Sequence, residues 1–456
     1  MKKIFASIFV LSLLLVLSVQ VVTADNPDWK EDQEALFREL DVEPGEIITT
    51  DQIEKAKKVL PGERMGIWFE RGDLMPIQIE AYQYDSDHDD YWKKETESNL
   101  GRYAIDSESG EIVEKESGEF PVFVNGQPFP ESEITLDDST SGSKVMYNKF
   151  LCKSRTETFK YDHHVLWISF NGGLERTVGC YWATYFYWGR KGGPVNNPEK
   201  LVERDLTIAV SPFDMAGTAQ LTLRKLGTKC DQVYAYVPAI RRVKRLSGAN
   251  RSDPYMGSEA VVDDGFGFIG LESSMEWTYK GRKTALCEMV PYALEHTTIM
   301  DHNSDGSWSC NPPGVILGFE KPEVGCATWA STNCVWVPRV FHVVDAMPKD
   351  PYYSCGKMEF WIDAQSYLIA YKWTYDKAGE FWKGMTLHPI HLTWGDNHGI
   401  QTVVAHSICD EKLQHATVVK GGCGEVNGSS FMKTTFNMRK ITPRMLTVEN
   451  MKMLTK

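Results

Sequence analysis

Alternation of apolar and polar residues constrains the fold of this chain more than any other feature. Residues 219–224 alternate between Ala or Leu and a polar residue, and residues 233–237 place Val, Ala and Val opposite two tyrosines. The segment 357–383 repeats the pattern on both sides of a turn and ends in a second turn, Asp376-Lys-Ala-Gly379. A period of two residues is the signature of a half-buried β-strand. The chain is therefore predicted to be built mainly from antiparallel strands.

Predicted strands far outnumber predicted helices. Helices are predicted at 31–40 and 50–60, the second with Thr49 and Gln52 as a capping box, and Thr442 or Thr447 could cap a short C-terminal helix. The pattern is strand-like from Met65 onward, and further strands are predicted at 145–153, 163–170, 181–188, 275–280, 390–394, 401–407 and 430–437. This predicts a mainly β (α+β) fold, a large curled antiparallel sheet or incomplete β-barrel with a few helices covering its concave face.

The chain is predicted to be one exported domain. Two lysines, an apolar run over 4–19 and the small residues Val22-Thr-Ala24 are typical of a signal peptide ending at residue 24. Residues 25–456 then form a single domain, with an acidic loop and hairpin insertion at about 84–144. After signal removal we expect no transmembrane segment, because no later apolar stretch approaches about 20 residues.

Charge and cysteine spacing exclude several classes of protein. The net charge of −13 argues against nucleic acid as a partner. None of the ten cysteines forms a Cys-x-x-Cys pair, so zinc ribbons, haem attachment and thioredoxin-type motifs have no support. An even count in an exported chain predicts structural disulfides. Candidate pairs are Cys152 with Cys180 and Cys326 with Cys334, because each pair flanks a predicted hairpin.

A basic cluster at a strand end is the first candidate binding feature. A strand-like run leads into it, and a turn-rich loop follows. The cationic candidates are Arg241, Arg242, Lys244, Arg245 and Arg251, with Tyr255 beside them. Guanidinium groups bind carboxylate or phosphate in bidentate geometry, so the cluster could receive an anionic head group. The alternative is internal pairing with Asp253, Glu259, Asp263 or Asp264, which the frequency of structural ion pairs favours.

Aromatic residues that share a strand face are the second candidate feature. Tyrosine and tryptophan combine a large apolar area with one polar atom, which suits the wall of a cavity for an amphipathic molecule. The predicted wall residues are Tyr234, Tyr236, Tyr371 and Trp373. Packing in an ordinary core is the alternative for each of them.

Catalytic and metal-binding motifs are weak. Asp396 lies among four histidines, His388, His391, His398 and His406, but residues three apart on a strand face opposite sides, and Pro389 interrupts the segment. The sequence has no Gly-x-Ser-x-Gly, no phosphate-binding glycine loop and no His-Glu-x-x-His. We predict no enzyme, no metal and no cofactor.

The sequence resembles an exported bacterial family catalogued as domain of unknown function thirteen-twenty-nine, related in fold to the LolA/LolB lipoprotein carriers. The resemblance covers most of the chain from about Gly45, and its residues are Gly126-Gln-Pro-Phe-Pro130, Asn148, Tyr236-Val-Pro-Ala-Ile-Arg-Arg-Val243, Ala249-Asn-Arg-Ser-Asp-Pro-Tyr255, Gly257-Ser258, Asp263-Asp264 and Tyr375-Asp-Lys-Ala-Gly379. It implies an incomplete barrel closed by helices around an apolar cavity. It also implies a periplasmic location, peripheral to the outer membrane at most, and lipid, acyl-chain or sterol-like cargo.

We therefore predict a periplasmic carrier or binding protein for a hydrophobic or amphipathic molecule that acts in envelope transport. The resemblance implies an envelope transporter for hydrophobic molecules as partner. One alternative is an adaptor that docks onto such a transporter through the 84–144 insertion. The other is a hydrolase that uses the His and Asp residues between 388 and 406.

Overall fold

The computed structural model describes residues 27–81, 90–152, 156–225, 227, 231–247, 251–291, 298–310, 314–394, 398–421 and 433–454. The predicted signal peptide lies outside these residues. The helices of the described residues are α1 Pro27–Leu40, α2 Ile53–Val59, α3 Gly62–Glu70, α4 Asp90–Ser98, α5 Ser141–Cys152 and α6 Val448–Leu454. No helix within these ranges is both long and apolar enough to cross a membrane.

Strands contain more of the described residues than helices do. The short strands are β1 Ile47–Ile48, β2 Ile77–Gln78, β3 Tyr103–Ile105, β4 Ile112–Glu114, β12 Thr298–Ile299, β13 Asp301–His302, β14 Trp308–Cys310 and β21 Thr434–Phe436. The strands of the main sheet are β5 Thr158–Ser169, β6 Gly173–Phe186, β7 Leu201–Ser211, β8 Ala219–Lys225, β9 Gln232–Val237, β10 Arg242–Leu246, β11 Met275–Met289, β15 Val335–Pro348, β16 Lys357–Asp363, β17 Ile369–Tyr375, β18 Phe381–Trp394, β19 His398–Asp410 and β20 His415–Lys420.

The main sheet is one continuous antiparallel array. Its hydrogen-bonded order is β10, β9, β8, β7, β6, β5, β20, β19, β18, β17, β16, β15, β11. No strand pairing in the described ranges joins β10 to β11, so the sheet is open. This confirms the predicted mainly β fold, a large antiparallel sheet with few helices.

One end of the sheet curls back on itself. Strand β11 lies close to β18 although three strands separate them in the hydrogen-bonded order. Tyr371 of β17 spans the curl, because its hydroxyl accepts a hydrogen bond from the backbone of Glu288 at 2.7 Å and donates to the carbonyl of Leu286 at 3.2 Å. The predicted wall residue Tyr371 is thus a buried cross-link between strands.

The two faces of the sheet are covered differently. The outer face carries Leu221 and Trp373. Trp373 packs edge-on against Trp68 of α3 at 5.5 Å, whereas Leu221 packs under the C-terminal residues Ile441, Leu446 and Met451. The inner face carries Gln220 and Lys372, and it is covered mainly by residues 251–269, which we call the inner loop. Loop rather than helix therefore fills most of the inner side.

Most predicted elements are confirmed, and two are wrong. The hairpin strands 357–383 and the first helix are present, and Thr49 and Gln52 form the predicted capping box. The region after Met65 begins as helix α3, and residues 145–153 belong to helix α5. Helix α5 is buried on all sides over residues 145–151, with Val145 and Met146 in the main core and Phe150 in a second cluster. A short segment that is buried all round cannot be told from a buried strand by its periodicity.

Neither of the two candidate disulfides is formed among the residues that the structure describes, and Cys230 and Cys423 lie outside them. Cys180, Cys326 and Cys334 are free thiols. Cys180 lies on β6, opposite His163 of β5 and Ala209 of β7, so neither neighbouring strand places a cysteine beside it.

The acidic segment 84–144 has a small core of its own in its described part. It contains helix α4 and the predicted hairpin, β3 paired with β4. Trp92, Tyr103 and Phe129 form a buried cluster with Phe150 of α5 and Trp188. The segment is therefore anchored to the rest of the fold by apolar packing.

Packing of the C-terminal segment on the outer face yields a stability prediction. Leu446 is fully buried there, so Leu446→Ala removes apolar contacts and leaves a cavity. We expect the free energy of unfolding in urea to fall by about 2–5 kcal/mol. The matched control is Leu413→Ala, because Leu413 is 69 % exposed, and it should change the value by less than about 0.5 kcal/mol. Equal effects of the two changes would contradict the packing.

Candidate functional site

A cavity of about 120 Å³ lies between the inner loop and the inner face of the sheet. Strands β5 to β8, β19 and β20 and the start of β9 form its walls. A single ordered water needs about 10–15 Å³ of such a cavity, so the cavity could hold roughly ten waters. Ten waters occupy about 300 Å³ in the liquid, at about 30 Å³ each, and this volume is at the lower end of the range for small-molecule pockets.

Strand alternation decides which side chains reach the cavity. On β8, Gln220, Thr222 and Arg224 line it, whereas Leu221 and Leu223 between them pack on the C-terminal segment. Strand β7 repeats this arrangement, with Glu203, Asp205 and Thr207 on the cavity side. The polar face of the predicted amphipathic strand thus points inward rather than to solvent.

One wall of the cavity is apolar and aromatic. Trp182 packs against Phe266 of the inner loop with ring centroids 5.0 Å apart. Phe266 holds this position with a left-handed backbone (φ 46°), which is uncommon for a bulky residue. Further apolar lining comes from Val165, Val233, Ala260, Val261, Val262, Ile269, Val403 and Val419. This wall suits the hydrocarbon part of a ligand.

Arg251 anchors the opposite, charged wall. Its Nε donates to Asp263 at 2.5 Å, its Nη1 donates to Asp231 at 2.7 Å, and its Nη2 donates to the carbonyl of Ile269 at 2.8 Å. Burial opposes the charge on Arg251, but Asp263 and Asp231 more than offset this and raise its pKa. Each guanidinium nitrogen of Arg251 therefore has a partner within the protein.

Arg224 is the second buried cation. Its Nη1 donates to the carbonyl of Gly270 at 3.3 Å, and its Nη2 lies 3.5 Å from Asp231. Burial disfavours its charge, while Asp231 and then Glu272 raise its pKa. Burial also raises the pKa of Glu272 to about 7. Within the described residues, one oxygen of Asp231, Oδ1, makes no hydrogen bond.

Carboxylates outnumber cations around the cavity. Four of the residues that line it are acidic and two are arginines: Glu203, Asp205, Asp231, Asp264, Arg224 and Arg251. Lys372 of β17 adds a cation that pairs with Asp264 at 2.5 Å. The cavity therefore offers mainly hydrogen-bond acceptors to a ligand.

Two histidines line the cavity in their neutral form. Burial lowers the pKa of His163 to about 4. Burial, and then His163 itself, lower the pKa of His406 to about 4. Tyr161 stacks on His163 with centroids 5.1 Å apart. At neutral pH these rings contribute polarity without positive charge.

The predicted binding residues do not converge on one site. Arg251 and Tyr255 line the cavity. Arg241, Arg242 and Arg245 lie exposed at the β9–β10 hairpin. Tyr234 and Tyr236 point to the outer face and pack against the C-terminal segment, because their neighbour Val233 takes the cavity side. Trp373 is buried against α3, and Tyr371 is buried in the curl.

The histidines between 388 and 406 are also separated. His406 lines the cavity, whereas His388 lies beside Glu288 on the opposite face. Asp396 lies outside the described residues, as does the side chain of His398. Among the described residues of this segment, His388 and His406 therefore lie on opposite faces of the sheet and share no site.

Sequence analysis missed the cavity residues of β7 and β8. The sequence did contain a signal for them. Glu203 and Asp205 carry negative charges and Arg224 a positive charge, and a hairpin makes their two strands neighbours. We interpreted the polar side of the strand at 219–224 as half-exposed, because alternation alone does not tell a solvated face from a polar cavity. Internal pairing of Arg251 with Asp263 was the favoured alternative, and the structure contains that pair.

Comparisons with known proteins give a family match and distant structural similarity. The model of the family described as Protein of unknown function (DUF1329) matches residues 47–442. A search of curated proteins finds no match.

The solved structures that are similar to this chain include three at low sequence identity. A putative outer membrane lipoprotein-sorting protein domain from Vibrio parahaemolyticus is 15% identical, with a TM-score of 0.44 over 69% of this chain and 100% of that chain. A DUF1329 family protein from Desulfovibrio piger is 13% identical, with a TM-score of 0.45 over 69% of this chain and 98% of that chain. A LolA superfamily protein from Nitrosomonas europaea is 8% identical, with a TM-score of 0.36 over 66% of this chain and 96% of that chain.

The ion pairs of Arg251 yield a second prediction. Arg251→Gln leaves the buried carboxylates of Asp263 and Asp231 without their main cation. Breaking a buried pair in this way costs about 3–5 kcal/mol, so we expect urea unfolding to show a loss of that size. Arg245→Gln is the matched control, since Arg245 is exposed. A stable Arg251→Gln protein would mean that the pairs do not hold the inner loop.

The pKa of His163 yields a third prediction. The unfolded imidazole has a pKa of 6.5 and the folded one about 4, so the stability that His163 contributes is present above pH 6.5. It is lost as the pH falls from 6.5 towards 4, by up to about 1.4 kcal/mol per pH unit. Urea unfolding between pH 7 and 5 should show a shallower pH dependence for His163→Gln, and an unchanged one for the exposed His302→Gln. Parallel curves for wild type and His163→Gln would contradict the buried neutral ring.

Proposed function

The chain belongs to the DUF1329 family, and from this premise and the inner cavity we propose that it is a non-enzymatic carrier that encloses one small amphipathic molecule. The observation that carries the proposal is the pairing of an aromatic and aliphatic wall with a carboxylate-rich wall in one buried space. Such a space accepts a hydrocarbon body and a polar end together.

Apolar burial supplies most of the proposed affinity. A ligand that removes about 200 Å² of apolar surface from water gains roughly 5 kcal/mol at about 25 cal/mol per Å². Part of this gain is offset by lost rotational and translational freedom. Hydrogen bonds at the polar wall then orient the molecule.

The charge of the cavity selects the polar end of the ligand. Arg251 has a protein partner on each guanidinium nitrogen, and acidic residues outnumber arginines along the walls. A phosphate or carboxylate head would meet unfavourable charges, whereas a hydroxyl or amine could donate to Asp231. We therefore favour neutral or cationic ligands, such as alcohols and amines with a compact apolar body, over fatty acids and phospholipids.

Location and partner come from the sequence resemblance. We propose that the carrier acts in the periplasm and delivers its cargo to or from a transporter in the envelope. Neither proposal depends on the identity of the ligand.

Filling the cavity should weaken ligand binding. Gln220→Trp introduces an indole from the β8 wall, and we expect it to weaken binding of N-phenylnaphthylamine, a neutral apolar probe, by about tenfold or more. Fluorescence titration measures the affinity. The control is Leu413→Trp, which adds the same side chain at an exposed position and should bind as wild type does.

The same titration tests the charge argument. Anilinonaphthalene sulfonate has nearly the same rings and an added anionic group, so we expect it to bind about tenfold more weakly than the neutral probe. Mass spectrometry of organic extracts from gently purified protein then identifies any native cargo. Lack of both probe binding and extracted cargo would refute the carrier proposal.

A further inference from the structure

A second cluster of functional side chains lies away from the cavity. Glu288 at the end of β11, Cys334 just before β15 and His388 of β18 converge behind the curled end of the sheet. Their ligand atoms all lie within 4.8 Å of one another. His388 Nε2 is 3.3 Å from Glu288 Oε2. Three different chain segments therefore bring a carboxylate, a thiol and an imidazole together.

Burial makes this arrangement costly in the absence of a cation. His388 is 1 % exposed and Glu288 is 6 % exposed. Among the described residues, His388 Nε2 has no hydrogen-bond partner, while His388 Nδ1 lies 3.4 Å from the carbonyl of Ala405. If Nδ1 holds the proton for that carbonyl, the Nε2 lone pair faces the Glu288 carboxylate. Two buried acceptors side by side repel each other unless a proton or a metal ion lies between them.

The distances suit a tetrahedral ion. Zinc binds nitrogen and oxygen ligands at about 2.0–2.2 Å, which places two such ligands about 3.4 Å apart at a tetrahedral angle. The measured separation of 3.3 Å between His388 Nε2 and Glu288 Oε2 already matches this edge. The Sγ atom of Cys334 lies within 4.8 Å of both of these atoms, which makes it the candidate third ligand.

Donor chemistry selects the metal. Thiolate and imidazole ligands favour zinc over calcium or magnesium, which prefer oxygen. The hydroxyl of Ser331 donates to Glu288, and a hydrogen bond of this kind orients a ligating carboxylate. The cluster thus has both the ligands and part of the supporting shell of a zinc site.

We propose that Glu288, Cys334 and His388 bind one Zn²⁺ ion, with a water molecule in the fourth position. The ion joins the last residues of strand β11 to β18 and to the segment that leads into β15. Its role is structural, since it holds together the curled end of the sheet, where the described strands make no pairing between β11 and β18. The thiol of Cys334 loses its proton to solvent when the metal binds.

The test uses the full mature chain, purified without chelator and titrated with ZnCl₂ by calorimetry. We expect one ion per chain and a higher thermal midpoint on binding. Substituted Co²⁺ should show a thiolate charge-transfer band in the near ultraviolet. Cys334→Ser should remove that band and weaken zinc binding by about 100-fold or more, since even losses in the supporting shell cost about 10–100-fold.

Matched variants keep the result interpretable. Cys180→Ser removes another buried cysteine and should bind zinc as wild type does. His388→Gln provides a second ligand loss if Cys334→Ser fails to fold, and alkylation of the wild type should show that zinc protects Cys334. Absence of stoichiometric zinc binding, unchanged binding in both ligand variants, or Cys334 in a disulfide would overturn the proposal.

Discussion

Buried ion pairs between the inner loop and the sheet are the interaction on which the rest of this structure depends. Arg251 joins the loop to Asp231 beside β9, and Asp264 joins it to Lys372 of β17 at 2.5 Å. Lys383 of β18 also donates to the carbonyl of Glu259 at 2.7 Å. These contacts fix the loop at both ends of the inner face, and the space left between them is the cavity. An apolar loop would be expected to pack closer and fill that space, because hydrophobic contact is not directional.

The same ion pairs explain why the cavity is polar on one side. A charged side chain is retained in a protein interior only when it is paired or hydrogen-bonded. Four acidic residues but only two arginines line the cavity, so the carboxylate oxygens outnumber the cations that could pair with them. The excess acceptors remain along the wall. The ion pairs that hold the inner loop therefore also cause the cavity to select ligands with hydrogen-bond donors. This selection needs no further specialised residue.

Sequence analysis predicted the sheet well because alternation is a local property, but it placed the candidate site poorly because the site depends on contacts between distant segments. Alternation separated Leu221 from Thr222 correctly and left open which of the two faced a cavity. The basic cluster contributed only Arg251, since Arg241 and Arg245 lie on an edge hairpin in solvent.

Pro389 led us to divide one strand into two, although the strand runs from Phe381 to Trp394. A β-bulge between His388 and Pro389 allows proline within this central strand. The proximity of Glu288 and Cys334 to His388 could not be predicted. It depends on the curl of the sheet, which no local sequence pattern indicates.

That bulge also connects the two proposed sites. His388 pairs with Ala405 and Pro389 pairs with Val403, so Val404 is the extra residue on β19. Val403 and His406 flank this position and line the cavity on the inner face, while His388 lies on the opposite side among the proposed zinc ligands. An ion that fixes His388 would hold the register of β18 against β19 at the point where the ladder is weakest. The wall of the cavity and the zinc site therefore share one structural element, and rigidity at the second favours a preformed shape at the first.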